Sequence, residues 1–552
     1  MDPIIEEEKA SMSRVSERQL LRKEADAEPG GFRGLLKSPN ILAFSLIASI
    51  GGFLFGYDQG VISGILVMST FKKAFPRIGG DGDLQGWAVS IMQIGAFLGA
   101  LLNSPLADRL SRKYSIALAN VSYFVGACLQ ASAMNVTMMF VGRLISGFGV
   151  GQLSMVVPLY ISEIAPSNIR GSAVSLQQLA IASGIMVAFW LDFGTQYIGG
   201  LGDGQKSIAW RLPLAVRALP SLVLLLSSIF VLPFSPRWLM KVGQEEQAFY
   251  VLGKLRRLPQ SDRRVKNEML QIKAGAMLED LTMKEKFPDA KTDNQRAIRL
   301  YKELLTQRHL SKRLFVACFM QVLQQLSGIN AVIYYAPKMF QAIGLKGASV
   351  SLLATGVIGI INVLATIPAI AVVDRYGRRT VLMLGAAAMT ISHVVIASLY
   401  AAFEKTWDRY PGAGWTAAVF LWLFVFNFAY SVGCISWIYP SEIFPLGVRA
   451  QALGISVGVN WISNFLIGLL TPLMLRYLKY GTFYLFGSCT VTLFIWARLC
   501  LPETRGVAME DMDKLWGGAE SQETAERMSR IYQKLGINPD NQEDEEMEEV
   551  EF

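Results

Sequence analysis

The sequence predicts an all-α membrane protein: twelve transmembrane helices in two six-helix bundles, joined by a helical linker. Three observations carry this. The 552 residues are 52% hydrophobic and only 17% charged, with a mean hydropathy of +0.35; a soluble domain carries about 25% charged residues. The apolar excess is gathered into long runs such as Val223–Leu232, Val350–Val373 and Val381–Ala401, and about 20 apolar residues span a bilayer core. The second half of the chain also repeats the first. Tyr160, Glu163, Pro166 and Arg170 recur as Tyr439, Glu442, Pro445 and Arg449 at a constant offset of 279 residues, and Asp108-Arg109 recurs as Asp374-Arg375 at 266. A soluble enzyme, a DNA-binding protein and a secreted disulfide scaffold are excluded, and the net charge of +8 reads as loop placement beside a membrane rather than affinity for nucleic acid.

The elements follow in order. Residues 1–40 are a polar and charged tail without the pattern of a cleavable signal peptide. The first six spans lie near 41–66, 84–105, 115–133, 138–162, 173–197 and 212–233, forming a bundle over 41–233. The stretch 234–313 is rich in Lys and Arg with helical charge patterning and reads as linker helices. The second six lie near 314–341, 349–373, 380–402, 415–439, 450–476 and 481–501, a bundle over 314–501, and 502–552 is an acidic tail. An even number of spans places both termini on one side. Positive charge decides which. The loops 108–113 and 374–379 and the linker, with Arg256, Arg257, Arg263 and Arg264, share that side, so it is expected to be the cytoplasmic side of the plasma membrane. Fewer cations, Lys72, Lys73, Arg211 and Lys346, fall opposite. Asn135-Val-Thr137 is a glycosylation sequon in so short a loop that an unmodified Asn is expected. The end of the chain, 540–551, is dominated by Asp and Glu, a composition that stays solvated.

Catalytic and cofactor chemistry finds little purchase. The five cysteines, Cys128, Cys318, Cys434, Cys489 and Cys500, lie in apolar runs without metal-ligand spacing, and only His309 and His393 could supply imidazole. No cofactor or metal is expected. The linker has no Gly-rich phosphate loop with Lys, which disfavours ATP-driven transport.

Parallel six-helix repeats with a midplane substrate site are an architecture of the major facilitator superfamily. The chain resembles one branch of it, the sugar porters, in fungal monosaccharide style. The marks are Gly56-Tyr-Asp-Gln-Gly60, Gly142-Arg143 with Gly147, Gly149 and Gly151, and Pro158-Leu-Tyr-Ile-Ser-Glu163. Ser235-Pro-Arg-Trp-Leu239, Gln324-Gln-Leu-Ser-Gly-Ile-Asn330 and Pro502-Glu-Thr-Arg-Gly506 complete them. The resemblance implies a monomeric carrier of a hexose or pentose working by alternating access. Proton symport is the preferred reading; facilitated diffusion and a non-transporting sugar sensor are the alternatives.

A sugar needs neutral groups that donate and accept around its rim, and a ring against its C–H face. Gln178, Gln324, Gln325, Asn330, Asn362, Trp437, Asn460 and Asn464 match the family's sugar-contact positions; the competing reading is that buried amides fasten helices together. Tyr334 and Tyr335 resemble the family's gating tyrosines. Asp58 is a carboxylate inside a span, costly unless paired or functional. Asp58 and Arg143 both fall about 8–12 Å from the outer ends of their spans at 1.5 Å per residue, so Arg143 is its expected partner and the pair a proton-coupling candidate. Asp108, Arg109, Glu163, Arg170, Asp374, Arg375, Glu442 and Arg449 form a duplicated charge set at the inner helix ends, and the resemblance implies a network stabilising the outward-open state. Pro158, Pro440 and Pro472 can bend their spans.

Four positions depart from the family pattern. Ser111 stands where Gly is usual, and Phe234 where Glu is usual. Val432-Gly-Cys434 precedes Trp437 where relatives often have Trp-Gly-Pro. Arg217 sits inside the sixth span, where it is expected to snorkel outward.

Overall fold

Pro39 opens the first span at a position where a missing N–H costs nothing, and the helix runs unbroken over Pro39–Ile65. The computed structural model describes residues 31–79, 84–166, 169–200, 202–286, 293–345, 347–444 and 448–504, together with Trp516, Arg527, Arg530 and Ile531. Every regular element among them is helical.

Eleven segments are long and apolar enough to cross a bilayer by themselves. The twelfth, the third span Arg112–Ala131, is more polar, and its polar side chains turn inward. Asn120 accepts from Ser221 of the sixth span at 3.0 Å, and Gln130 donates to Ser146 of the fourth at 2.9 Å. Large apolar side chains such as Leu102, Leu226, Phe230, Leu466 and Leu470 are exposed on the outside of the bundle, as a lipid-facing surface requires.

Three of the twelve spans are not single helices. The sixth is Ile208–Val216 and Ala218–Phe230, meeting at Arg217. The seventh is Arg308–Leu326 and Ile329–Ala342, and the tenth Pro411–Tyr430 and Val432–Ile443. The seventh breaks at Gly328, whose φ of 89° is a left-handed value that a side chain disfavours. The tenth breaks at Ser431.

In the first half the first span packs on the fifth, the second on the fourth, and the third on the fourth and sixth. In the second half the seventh packs on the eleventh, the eighth on the tenth, and the ninth on the tenth and twelfth. The halves meet along two seams, second against eleventh and fifth against eighth. Packing inside a half is close enough to need missing side chains. A Cβ at Gly147 would overlap the Met92 carbonyl, and one at Gly151 the Ala96 backbone.

The stretch after the sixth span folds as Pro236–Lys241, Glu245–Arg256, Arg263–Lys286 and Asp293–Thr306. Its first three helices dock beneath the first half, where Arg256 donates to the Ile164 carbonyl at 3.0 Å while its Nε bonds Glu268 at 2.7 Å, and the fourth packs on the seventh and eleventh spans. Phe234 fills its departed ion-pair position with apolar contact, stacked on Trp238 at 5.6 Å with Lys113 Nζ 5.0 Å above its ring. At the opposite face, exposed Asn135 caps the fourth span, its Oδ1 accepting from Met138 N at 2.8 Å.

Ser111 closes the second span with φ 78° and ψ 158°, and its repeat mate Gly377 closes the eighth with φ 86° and ψ 152°. That region is open to glycine and costs other residues about 1–3 kcal/mol. Ser111 Oγ recovers part of this by accepting from Tyr114 N at 3.3 Å. Ser111→Gly is therefore expected to stabilise the protein by about 1 kcal/mol. Thermal unfolding in detergent should show a midpoint raised by about 1–2 °C; an unchanged or lower midpoint contradicts the account.

Candidate functional site

The break in the seventh span and the face of the eleventh bring the predicted amides together. Asn460 Nδ2 donates to Gln321 Oε1 at 2.7 Å and Gln324 Oε1 at 2.9 Å. Its Oδ1 accepts from Gln325 Nε2 at 3.2 Å, and Gln325 Oε1 accepts from Asn330 Nδ2 at 2.6 Å. Gln321 Nε2 reaches the Ser436 carbonyl of the tenth span at 2.9 Å. All five are nearly sealed from solvent. Because each amide carries both a donor and an acceptor, these mutual bonds can be exchanged for bonds to hydroxyls.

One turn beyond Asn330, Tyr334 joins the halves. Its hydroxyl accepts from Gln59 Nε2 of the first span at 3.1 Å and donates to Asn464 Oδ1 of the eleventh at 3.1 Å. The Gln93 carboxamide of the second span lies 2.8 Å away. Tyr335 donates to the Gly468 carbonyl at 2.8 Å, and Lys338 Nζ to Gln85 Oε1 at the head of the second span at 2.7 Å. Deeper in, Trp461 Nε1 bonds Ser154 Oγ at 3.3 Å across the halves, with its ring 4.9 Å from Phe55.

The remaining predicted residues line other walls. Asn362 is buried on the eighth span and Gln178 half-buried on the fifth, the two spans whose seam brings Gly359 against Met186. Trp437 is half-buried on the tenth span. Sequence reasoning passed over Gln59, Gln93 and Gln321. The signal was available: Gln321 precedes Gln324 and Gln325 by one helical turn on the same face, and Gln59 adjoins Asp58.

Asp58 does not pair with Arg143. Its Oδ1 is in an ion pair with Arg217 Nη1, and both side chains are fully buried. Arg217 therefore does not snorkel outward. The sixth span breaks at this residue, and its guanidinium turns inward between Asp58 and the Tyr123 ring, whose centroid is 5.8 Å away, with Nε on the Leu214 carbonyl at 3.1 Å. Arg143, also fully buried, donates instead to the Val89 carbonyl of the second span at 3.1 Å. The expected Asp58–Arg143 pair is therefore replaced by Asp58–Arg217.

At the linker-side helix ends the repeat yields two matched ion pairs. Arg112 bridges Asp108 and Glu163, at 2.9 Å to each. Its mate Arg378, 266 residues on (112 to 378), holds Glu442 at 2.8 Å. Glu442 also accepts from Thr504 at 2.7 Å, and Glu503 from the backbone N–H groups of Arg378 and Arg379 at 2.9 and 3.0 Å. The predicted set named the carboxylates but not Arg112 or Arg378. The side chains of Asp374 and Arg375 lie outside the described residues. Arg449 folds onto the Phe444 carbonyl at 2.9 Å. Burial alone would raise the Asp108 carboxyl, but Arg112 and Lys241 outweigh it and hold it below the ordinary carboxylate value.

The family model for "Sugar (and other) transporter" matches residues 44–516. The chain belongs to the sugar transporter family. It is 33% identical over 484 residues to the high-affinity hexose transporter HXT6 of Saccharomyces cerevisiae, covering 85% of this chain and 80% of that protein. It is 30% identical over 510 residues to Sugar transport protein 10 of Arabidopsis thaliana, covering 88% and 93%. A solved structure of the proton:xylose symporter XylE bound to 6-bromo-6-deoxy-D-glucose superposes with a TM-score of 0.71 at 28% identity, over 87% of this chain and 99% of that one. A partially occluded, inward-open XylE from E. coli gives 0.68 at 27% identity, covering 85% and 100%. The family's major facilitator fold and its role as a multi-pass membrane sugar carrier rather than an enzyme apply here.

Two outcomes follow from the site. Asn460→Ala strips partners from Gln321, Gln324 and Gln325 at once, and each buried polar group left unpaired costs about 1–3 kcal/mol. Half-saturation for sugar uptake should rise about tenfold or more; an unchanged value removes the cluster from binding. For Asp108, whose folded-state value lies below 3.8, the stabilising contribution is complete above the unfolded value and is lost as pH falls through the folded one. The melting-point gap between wild type and Asp108→Asn should therefore hold across neutral pH and close only in acid below 3.8. A gap that closes near neutrality would contradict the pairing.

Proposed function

We propose that this protein carries a monosaccharide, a hexose or a pentose, across the plasma membrane by alternating access, with both termini cytoplasmic and the monomer as the working unit. The observation that carries this reading is the mutually bonded amide cluster around the break at Gly328, linked to the other half through Tyr334. A bound sugar would replace amide–amide bonds with amide–hydroxyl bonds, and Tyr334 and Tyr335 would gate its access. Gln178, Asn362 and Trp437 would complete the walls. The hexose and xylose named for HXT6 and XylE support a substrate of this class.

Proton coupling is assigned to Asp58, with Arg217 as its partner. A proton on the carboxylate would release the guanidinium, and returning the charge would restore the pair, so the site offers two arrangements that a transport cycle can alternate between. XylE's description as a proton symporter supports this. The second reading is facilitated diffusion. It is favoured by the same contact, because the Asp58–Arg217 pair is complete without a proton. The Arg112 and Arg378 pairs, with Arg109, Arg170 and Arg449, would brace the cytoplasmic helix ends in the outward-facing state.

Uptake of radiolabelled glucose and xylose in a transporter-null host, with competitors and with or without an uncoupler, tests class, substrate and coupling together. Wild type should accumulate sugar uphill and lose that accumulation with uncoupler. Asp58→Asn should exchange sugar without accumulating it. Uncoupler-sensitive accumulation in Asp58→Asn would sink the proton assignment, and equilibration by wild type without accumulation would establish facilitation. Binding without transport would return the sensor reading.

A further inference from the structure

The break in the seventh span depends on a residue outside that span. Gln324 and Gln325 lie just before the break and Asn330 just after it, so the angle at Ser327-Gly328 sets their relative placement. Breaking the helix leaves carbonyls without their usual donors. Local groups satisfy two of them: Gln325 O accepts from Gly328 N at 3.1 Å, and Gln324 O from Ser327 Oγ at 2.6 Å. The Ser327 carbonyl is served from the ninth span, with His393 Nε2 at 3.0 Å.

His393 is fully buried and its position is set by packing. Its ring lies 4.4 Å from Phe424 and 5.9 Å from Phe486. Phe486 also closes the space beside Gly328, where an added Cβ would meet its ring. Since a carbonyl only accepts, Nε2 carries the hydrogen; Nδ1 has no partner among the described residues. Imidazole thus supplies one directed donor within an aromatic pocket built from the ninth, tenth and twelfth spans. The segment beyond the break, Ile329–Ala342, carries Tyr334 and Lys338 to the other half while Tyr334 and Tyr335 also bond the eleventh span, so beyond Gly328 the chain bridges the two bundles.

We propose that His393 is a positioning residue for sugar transport: its Nε2–H latches the Ser327 carbonyl, fixing the pivot about which the Tyr334-bearing segment moves and the register of Gln324, Gln325 and Asn330. This rests on the reading of those amides as the sugar site. The carbonyl cannot turn to water inside the bundle, so removing the donor forces the break to find another geometry.

The test compares His393→Gln, which restores a donor at about the Nε2 position, with His393→Leu and His393→Asn, which remove or shorten it. Initial rates of glucose and xylose uptake and equilibrium exchange are measured at matched surface abundance. Leu and Asn should raise half-saturation and lower maximal rate about fivefold or more, while Gln stays within about twofold of wild type on both. His393→Asn keeps a polar side chain, so it serves if the leucine variant does not reach the membrane. Wild-type kinetics in Leu or Asn, or a Gln variant as impaired as Asn, overturns the proposal. Absence of transport by the wild type would instead refute the sugar-carrier reading, so the two failures are told apart.

Discussion

Inside a bilayer a polar atom cannot turn to water, so one within the spans costs free energy unless it finds a partner in the protein or in a bound solute. The architecture described above is largely the working-out of that demand. The third span turns Asn120 and Gln130 inward, the broken seventh span sends its freed carbonyls to local donors and His393, and Asp58 holds Arg217. At the centre the demand is met by amides bonding amides. Those are bonds of a kind a polyhydroxy solute can replace without leaving a group unpaired. A carboxylate or lysine in the same place would have left a charge to neutralise whenever the solute departed.

Duplication gives the molecule a second level of order. Arg112 with Glu163 and Arg378 with Glu442 place the same ion pair at the same helix ends of each bundle. Evolution has not kept the halves equal around these pairs. Ser111 accepts a strained backbone where Gly377 needs none, and Phe234 answers Lys113 with an aromatic face instead of a carboxylate. The amide cluster, by contrast, is built mostly from the second half, with Gln59 and Gln93 reaching it from the first through one tyrosine hydroxyl. The two bundles are alike as scaffolds and unlike as binding surfaces.

Much of this was legible in the chain. Apolar runs located all twelve spans, and the motif around Gly328 with Asn460 identified residues that do meet. What failed had a common cause. Residue counting along a helix estimates depth and says nothing of which way a side chain points. The partner is chosen by azimuth and by local breaks, and the break at Arg217 swings that guanidinium inward while Val89 draws Arg143 away. Gln321 was missed because it lies outside the recognisable motif, although helical periodicity puts it on the face of Gln324 and Gln325. Arg112 and Arg378 each lie three residues beyond the duplicated Asp-Arg pair, outside the set that the repeat singles out.

The polarity of the third span has a consequence for biogenesis. Hydrophobicity is what admits a helix from the translocation channel into lipid, and polar residues near its centre weigh against entry. A segment that carries Ser115, Asn120 and Gln130 is a poor candidate to enter alone. Its neighbours supply what it lacks, since Ser146 of the fourth span and Ser221 of the sixth hold its amides. With Asn120 near its middle, this stretch is expected to draw on the downstream helices that bond it when it enters the bilayer.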